Sequence, residues 1–229
     1  LRTLLTRLGP FVGLVLVITL FALPAETREY FLTYNNFKII LTQTVIVAIA
    51  ALGMTMIIIS GGIDLSVGSS VALTSVVGAL LIQHGWGPVP VLLTVVAAGG
   101  LIGLLNGAAI AGLRMTPFII TLGTLGVARG AAKWLADNQT VNYDASPING
   151  WMTTADPFSR ALPAGVWATA MLALLTAVLL RATLFGRHLF ALGSNETAAR
   201  YSGVRITRMK ILGYTTAGCF FGLAGLFQL

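Results

Sequence analysis

The stretch Ser60-Gly61-Gly62-Ile63-Asp64-Leu65-Ser66-Val67-Gly68-Ser69-Ser70 sets one carboxylate among glycines and serines, between two long apolar runs. A carboxylate in such surroundings is costly without partners or water, so it either holds structure or serves the passage of a polar solute. As structure, Asp64 or Ser66 caps the following helix by accepting from its first free amides, while Gly61 and Gly62 make the turn. As function, Gly61, Gly62, Asp64, Ser66 and Gly68, with Asn106 from a later apolar run, form a gate or pathway. The two readings are compatible and both stay open. A second polar stretch runs from Phe185 to Lys210, FGRHLFALGSNETAARYSGVRITRMK. Asn195 and Glu196, followed by Ala198, Ala199 and Tyr201, suit a capped helix that stops at Gly203. Such a small, alanine-rich helix with basic flanks fits a cleft on a partner; alternatively, it is an interfacial loop whose arginines only set topology.

Other chemistry finds no footing. A serine nucleophile needs a base, but His84 lies in a turn and His188 in the polar segment, and Ser60, Ser66, Ser69 and Ser70 have no base in their own run. Asp137, Asp144 and Asp156 share one polar loop, whereas Asp64 stands alone in its neighbourhood, so no aspartyl pair forms. No Cys, His and carboxylate cluster has metal-ligand spacing. No phosphate-cradling GxxxxGK[ST] loop is present either, so energy for any transport comes from a partner or an ion gradient. An ion-coupled carrier is the main alternative to an ATP-driven one, but it usually has several buried ionisable groups and inverted repeats. Here Asp64 is the single candidate and no repeat is visible. Cys219 has no partner for a disulfide within the chain and sits beside Phe220, Phe221 and Leu223 as a small core residue. Thr42, Gln43, Thr44, Asn106 and Thr121 could line a polar pathway, though hydrogen bonding between helices explains each equally well.

The elements that position these residues are helices in a membrane. Apolar residues make up 56% of the 229, charged residues 9%, against roughly 25% charged in soluble domains; mean hydropathy is +0.89. A helix of roughly 20 apolar residues crosses a hydrocarbon layer of about 30 Å. Seven runs qualify as candidate spans: Leu8 to Leu23, Ile39 to Ser60, Ser66 to Ile82, Val89 to Leu113, Pro117 to Leu135, Leu162 to Leu180, and Ile211 to Leu229. The fold expected is therefore an all-α polytopic bundle. The first run follows Arg2 and Arg7 as a signal peptide would, but no clean small-x-small cleavage site ends it, and it reads as a retained first helix.

Alternating the spans from a cytoplasmic N-terminus puts Arg2, Arg7, Arg114, Arg181, Arg187, Arg200, Arg205, Arg208 and Lys210 on one side. Glu26, Glu29, Asp137, Asp144 and Asp156 fall on the other, with Arg28, Lys38, Lys133 and Arg160 diluting the bias. The net charge of +7 thus reflects orientation and does not point to nucleic acid. Trp86, Trp134, Trp151 and Trp167 fall near the expected outer interface. Gly99, Gly103 and Gly107, extended by Ala111, line one helix face, and Gly126 with Gly130 and Gly218 with Gly222 repeat the spacing, which predicts close helix packing.

The run Gly61 to Gly68, the run Arg114-Met115-Thr116-Pro117-Phe118-Ile119-Ile120-Thr121-Leu122-Gly123-Thr124, and Phe185-Gly186-Arg187 through Gly193 to Gly203 together resemble permeases of the ribose, xylose and galactose ABC importers. The resemblance covers nearly the whole chain. It implies one inner-membrane permease domain over 1–229, with no cofactor, that dimerises with a second permease subunit. It further implies a periplasmic binding protein that delivers a monosaccharide, and hydrolysis by a separate cytoplasmic ATP-binding subunit. Residues 182–210 are then the coupling segment, with Arg187, Gly193, Asn195, Glu196, Ala198, Ala199 and Gly203 as its ATPase-facing residues. Members of that family run to about ten spans, so a chain that opens at Leu1 and stops at Leu229 within its seventh reads as cut at its C-terminus.

Overall fold

The computed structural model describes residues 2–143 and 162–229. Among them it has ten helices and no strand: α1 (Arg2–Ala22), α2 (Ala25–Phe31), α3 (Tyr34–Ile59), α4 (Val67–Gln83), α5 (Pro88–Leu113), α6 (Pro117–Leu135), α7 (Ala164–Ala182), α8 (Leu184–Ser194), α9 (Glu196–Tyr201) and α10 (Ile206–Leu226). All seven apolar runs lie on helices. Pro88 and Pro117 open α5 and α6, where a missing N–H costs nothing and the fixed φ suits the first turn. The connection holding Glu26 and Glu29 is itself the short helix α2, with Glu26 in its first turn.

The helices α3, α5 and α7 are long and apolar enough to cross a membrane, by length and composition. Phe11–Ala22 of α1 and Val67–Gln83 are apolar but shorter. For α4 the reason is local. Its 17 residues rise about 26 Å, short of a hydrocarbon layer of about 30 Å, because the glycine-serine turn occupies the rest of the depth.

The chain divides into two compact units, Leu1–Gln43 and Thr44–Leu229. In the first, α1 and α2 meet through the Phe21 and Phe31 rings, 5.6 Å apart, and the Thr27 hydroxyl donates to the Phe21 carbonyl at 2.7 Å. In the second, α10 is the central element. It packs most extensively on α5, through glycines: a Cβ at Gly99 would strike the Gly218 carbonyl oxygen, one at Gly103 the Tyr214 carbonyl oxygen, and one at Gly107 would stand 2.8 Å from the Ile211 Cα. Two backbones in contact leave no room for side chains, which is how helices associate when lipid offers no hydrophobic drive. Gly126 and Gly130 break the expected pattern: a Cβ at either meets nothing within 4 Å, so this pair faces open space within the chain. Val45, Ile49, Ile57, Val71, Phe221 and Ala224 close the core around α10. Outward faces carry exposed Leu93, Leu101, Leu105, Val127, Leu174 and Leu175, as fits a surface whose solvent is lipid.

The contacts also sort the ends of the second unit. Tyr143 donates to the Leu229 carbonyl at 2.8 Å, and Gln83 to the Asn142 carbonyl at 3.3 Å, which gathers the C-termini of α4 and α10 at one end. At the opposite end the close of α3 meets α8, and the Ile110 to Met115 stretch meets Glu196 to Lys210 around a common cleft. Trp86, Trp134 and Trp167 are all exposed; Trp151, Asp144, Asp156 and Arg160 lie outside the described residues.

Candidate functional site

The turn between α3 and α4 is built by backbone geometry first. Gly61 takes φ +78, and its amide donates to the Ile58 carbonyl at 3.0 Å while the Gly62 amide reaches the Ile57 carbonyl, also at 3.0 Å. This is a Schellman closure, which needs a residue without Cβ strain in the left-handed region. The chain then doubles under itself, and Asp64 arrives 3% exposed. Its Oδ1 accepts from the Ser66 amide at 2.7 Å and the Ser66 hydroxyl at 2.6 Å. From α5, Asn106 Nδ2 donates to Ser66 Oγ at 3.1 Å and to Asp64 Oδ2 at 3.4 Å. From α6, Thr124 donates to Asn106 Oδ1 at 2.5 Å, and Thr121 Oγ1 accepts from the Leu65 amide at 3.1 Å. Among the described residues no cation pairs with Asp64; neutral donors alone satisfy it. Asn106 lies seven residues before the end of α5, about 10 Å along the axis, so the network sits well inside that span.

The capping expectation holds in part. Ser66 is the N-cap of α4, but it makes no side-chain cap bond; Asp64 instead accepts from the N-cap residue itself, an Asx-type turn that orients the helix entry. Ser70, one turn on, is fully buried, and its hydroxyl has no partner among the described residues. A Cβ at Gly68 meets nothing within 4 Å, which leaves Gly68 outside the network.

The polar segment forms two helices where the sequence suggests one. Thr183 Oγ1 accepts from the Gly186 amide at 3.2 Å and so caps α8, a cap that precedes the motif. Asn195 Oδ1 then accepts from the Ala198 amide at 2.9 Å, and the six-residue α9 ends as anticipated at Gly203, φ +85. The Gly203 amide donates to Arg200 and the Val204 amide to Ala199, each at 3.0 Å, a second Schellman closure. Ala199 is 4% exposed and packs inward with Met56, Leu189, Leu192, Ile206 and Met209. The outward face of α9 is Thr197, Ala198, Arg200 and Tyr201.

The two stretches touch. A Cβ at Gly193 would strike the Ile59 carbonyl oxygen, and one at Gly61 would lie 3.6 Å from the Gly193 Cα. Glu196 binds Lys210 of α10 at 2.8 Å and Arg200 at 3.3 Å. One turn along α10, the Tyr214 hydroxyl donates to the Ile63 carbonyl at 3.1 Å.

Residues 36–229 match the family described as the permease component of the branched-chain amino acid transport system. The chain belongs to this permease family. It is 33% identical over 220 residues to the ribose import permease protein of Escherichia coli strain K12, covering 95% of this chain and 68% of that one. To the ribose import permease protein of Bacillus subtilis strain 168 it is 36% identical over 225 residues, 96% and 67% covered. To the galactose/methyl galactoside import permease protein of Haemophilus influenzae it is 35% identical over 221 residues, 86% and 64% covered. No solved structure matches the chain significantly.

Within this multi-pass permease, the structure sorts the sequence candidates. Asn106 and Thr121 join the Asp64 network, whereas the Thr42 hydroxyl donates to the Lys38 carbonyl at 2.9 Å and Gln43 and Thr44 are exposed. Arg187 is exposed on α8. Two residues escape a reading of the sequence. Thr124 lies three residues after Thr121, on the same helical face, and that spacing could have placed it. Tyr214 is a phenol in an apolar run, and a buried hydroxyl there requires a partner.

Proposed function

We propose that this permease is the membrane subunit of an ATP-driven importer of a monosaccharide. A periplasmic binding protein delivers the solute, and a separate ATP-binding subunit performs hydrolysis. The family description speaks of amino acids and the relatives' names of sugars; the sugar reading follows the relatives, whose similarity runs along nearly the whole chain. We read 1–229 as one permease domain in the inner membrane, paired with a second permease subunit, with its N-terminus in the cytoplasm. The end bearing Arg114, Arg181, Arg187, Arg200, Arg205, Arg208 and Lys210 is then cytoplasmic by the bias of basic residues.

One observation carries the mechanism: the 182–210 segment abuts the turn that holds Asp64. A displacement of α9 has two routes inward. One passes through α8, where Gly193 leaves no gap to the end of α3. The other passes through the Glu196–Lys210 pair into α10 and on through Tyr214 to the Ile63 carbonyl, one residue from Asp64. Asp64, Ser66 and Asn106 then act as the latch of a gate, and Gly61 and Gly62 as its pivot.

The ATPase contact falls on the outward residues of α9. Because Ala199 faces the chain's own core, a bulky residue there would disturb the permease itself, so the test belongs at Ala198. Ala198→Trp should leave the folded permease unchanged, lower recovery of the co-expressed ATPase and abolish uptake. Normal recovery together with normal uptake would mean that α9 is only a topological loop.

A further inference from the structure

The basic end of the second unit contains a cleft of about 580 Å³, walled by the last turn of α5, by α9 and by the first turn of α10. Arg114, Arg200, Arg205 and Lys210 line it, against a single carboxylate, Glu196. Glu196 is already engaged by Arg200 and Lys210, and among the described residues Arg114 and Arg205 have no carboxylate partner. The cleft thus holds a formal excess of three positive charges. No side chain caps α10 at this end, and Thr207 adds a hydroxyl; free amides at a helix start attract phosphate groups. Met115 and the half-buried Val204 add accessible apolar surface to the cleft. Its depth is set by α5, a span by length and composition whose last residue is Leu113. The cleft therefore opens where hydrocarbon gives way to water.

We propose that this cleft binds the phosphodiester headgroup of an anionic phospholipid. Guanidinium groups on separate elements, Arg114 after α5 and Arg205 before α10, grip the phosphate oxygens as planar forks, and Met115 and Val204 take the glycerol and the first methylenes. A zwitterionic lipid would bring its own cation against the same arginines, which makes the site selective for net negative headgroups. A free phosphate ester would leave Met115 and Val204 uncovered. Bound lipid would tie α5, α9 and α10 together at the joint where α9 meets α10.

The test uses the purified chain in detergent, titrated by native mass spectrometry with short-chain phosphatidylglycerol, short-chain phosphatidylcholine and glycerol 3-phosphate. Phosphatidylglycerol should bind one to one and at least about tenfold tighter than either other ligand. A basic residue near an anionic lipid surface contributes about fivefold in affinity, so Arg114→Gln with Arg205→Gln should weaken phosphatidylglycerol binding roughly 25-fold. Should the double variant not remain monodisperse, Arg205→Gln alone should weaken it about fivefold, and Arg205→Lys about threefold or less. Equal binding of the two lipids, or of wild type and Arg205→Gln, overturns the site. Glycerol 3-phosphate binding as tightly as phosphatidylglycerol would identify a soluble-anion site and overturn the lipid assignment.

Discussion

Asn106 is the joint of the Asp64 network, and truncating it to alanine has a cost that can be worked bond by bond. It takes part in three hydrogen bonds, donating to Ser66 Oγ and Asp64 Oδ2 and accepting from Thr124. After Asn106→Ala, Thr124 keeps its bond to the Ile120 carbonyl at 3.1 Å, and Ser66 Oγ keeps Asp64 Oδ1. Among the described residues Asp64 Oδ2 has no second donor. A buried acceptor left bare costs about 1–3 kcal/mol, and more when charged; the small cavity adds to it, for a total of about 3 kcal/mol. Thr124→Val removes the hydroxyl's bonds to Asn106 and to the Ile120 carbonyl; the carbonyl is a helix acceptor, so the cost is that of leaving Asn106 Oδ1 unsatisfied, about 1 kcal/mol. At 2–4 °C per kcal/mol for a chain of this size, thermal melting in detergent should fall by roughly 6–12 °C for Asn106→Ala and roughly 2–4 °C for Thr124→Val. A melt for Asn106→Ala within about 2 °C of wild type, or a larger loss for Thr124→Val, would refute the view that Asn106 holds the carboxylate.

Asp64→Asn should retain substantial ATP-driven uptake. Its carbonyl can still accept from Ser66, and a flipped Asn106 can accept from the new amide; uptake that came to depend on the proton gradient would contradict this. Gly203→Val should lower the melting midpoint by the equivalent of about 1–2 kcal/mol, because φ is +85 with no neighbour within 4 Å, so the whole cost is backbone strain. Gly203→Asn should be milder, and equal losses for the two would point to a packing cause. A single cysteine at Asn142 in a Cys219→Ser background should react with an impermeant thiol reagent from the periplasm of intact spheroplasts; reaction only after lysis would invert the proposed orientation.

The spans were legible because an apolar run of this length has few alternatives, and every run marked in the sequence is helical. Asn195 and Gly203 bracketed α9 correctly, since a side-chain acceptor and a left-handed glycine leave local signals. What stayed hidden depends on which face of a helix meets which neighbour. Ala199 and Ala198 are adjacent and chemically identical, yet one is buried in the chain's own core and the other is exposed. The spacing of Gly126 and Gly130 equals that of Gly99 and Gly103, but α10 passes only the latter pair. Gly193 read as part of the coupling segment, while its contact with Ile59, more than 130 residues earlier, exists only in the fold. The cap Thr183 gives little signal in the sequence because it alone separates α7 from α8.

That fold-level contact changes what the glycines mean. In a side-chain interface, rotamers absorb small shifts before they reach the next helix. Where Gly99, Gly103, Gly218 and Gly222 bring two backbones together, nothing soft lies between them, and α5 must follow α10. Lys210 and Tyr214 lie one turn apart on α10, the first tied to Glu196 on α9 and the second to the Ile63 carbonyl, so a single rigid element joins the basic end to the turn beside Asp64. Asn106, the partner of Asp64, rides on α5, one turn beyond Gly103. On the proposed mechanism, a movement of α9 therefore shifts both sides of the Asp64–Asn106 bond, and at 3.4 Å that bond is the longest in the network. It is the place where the latch would open first.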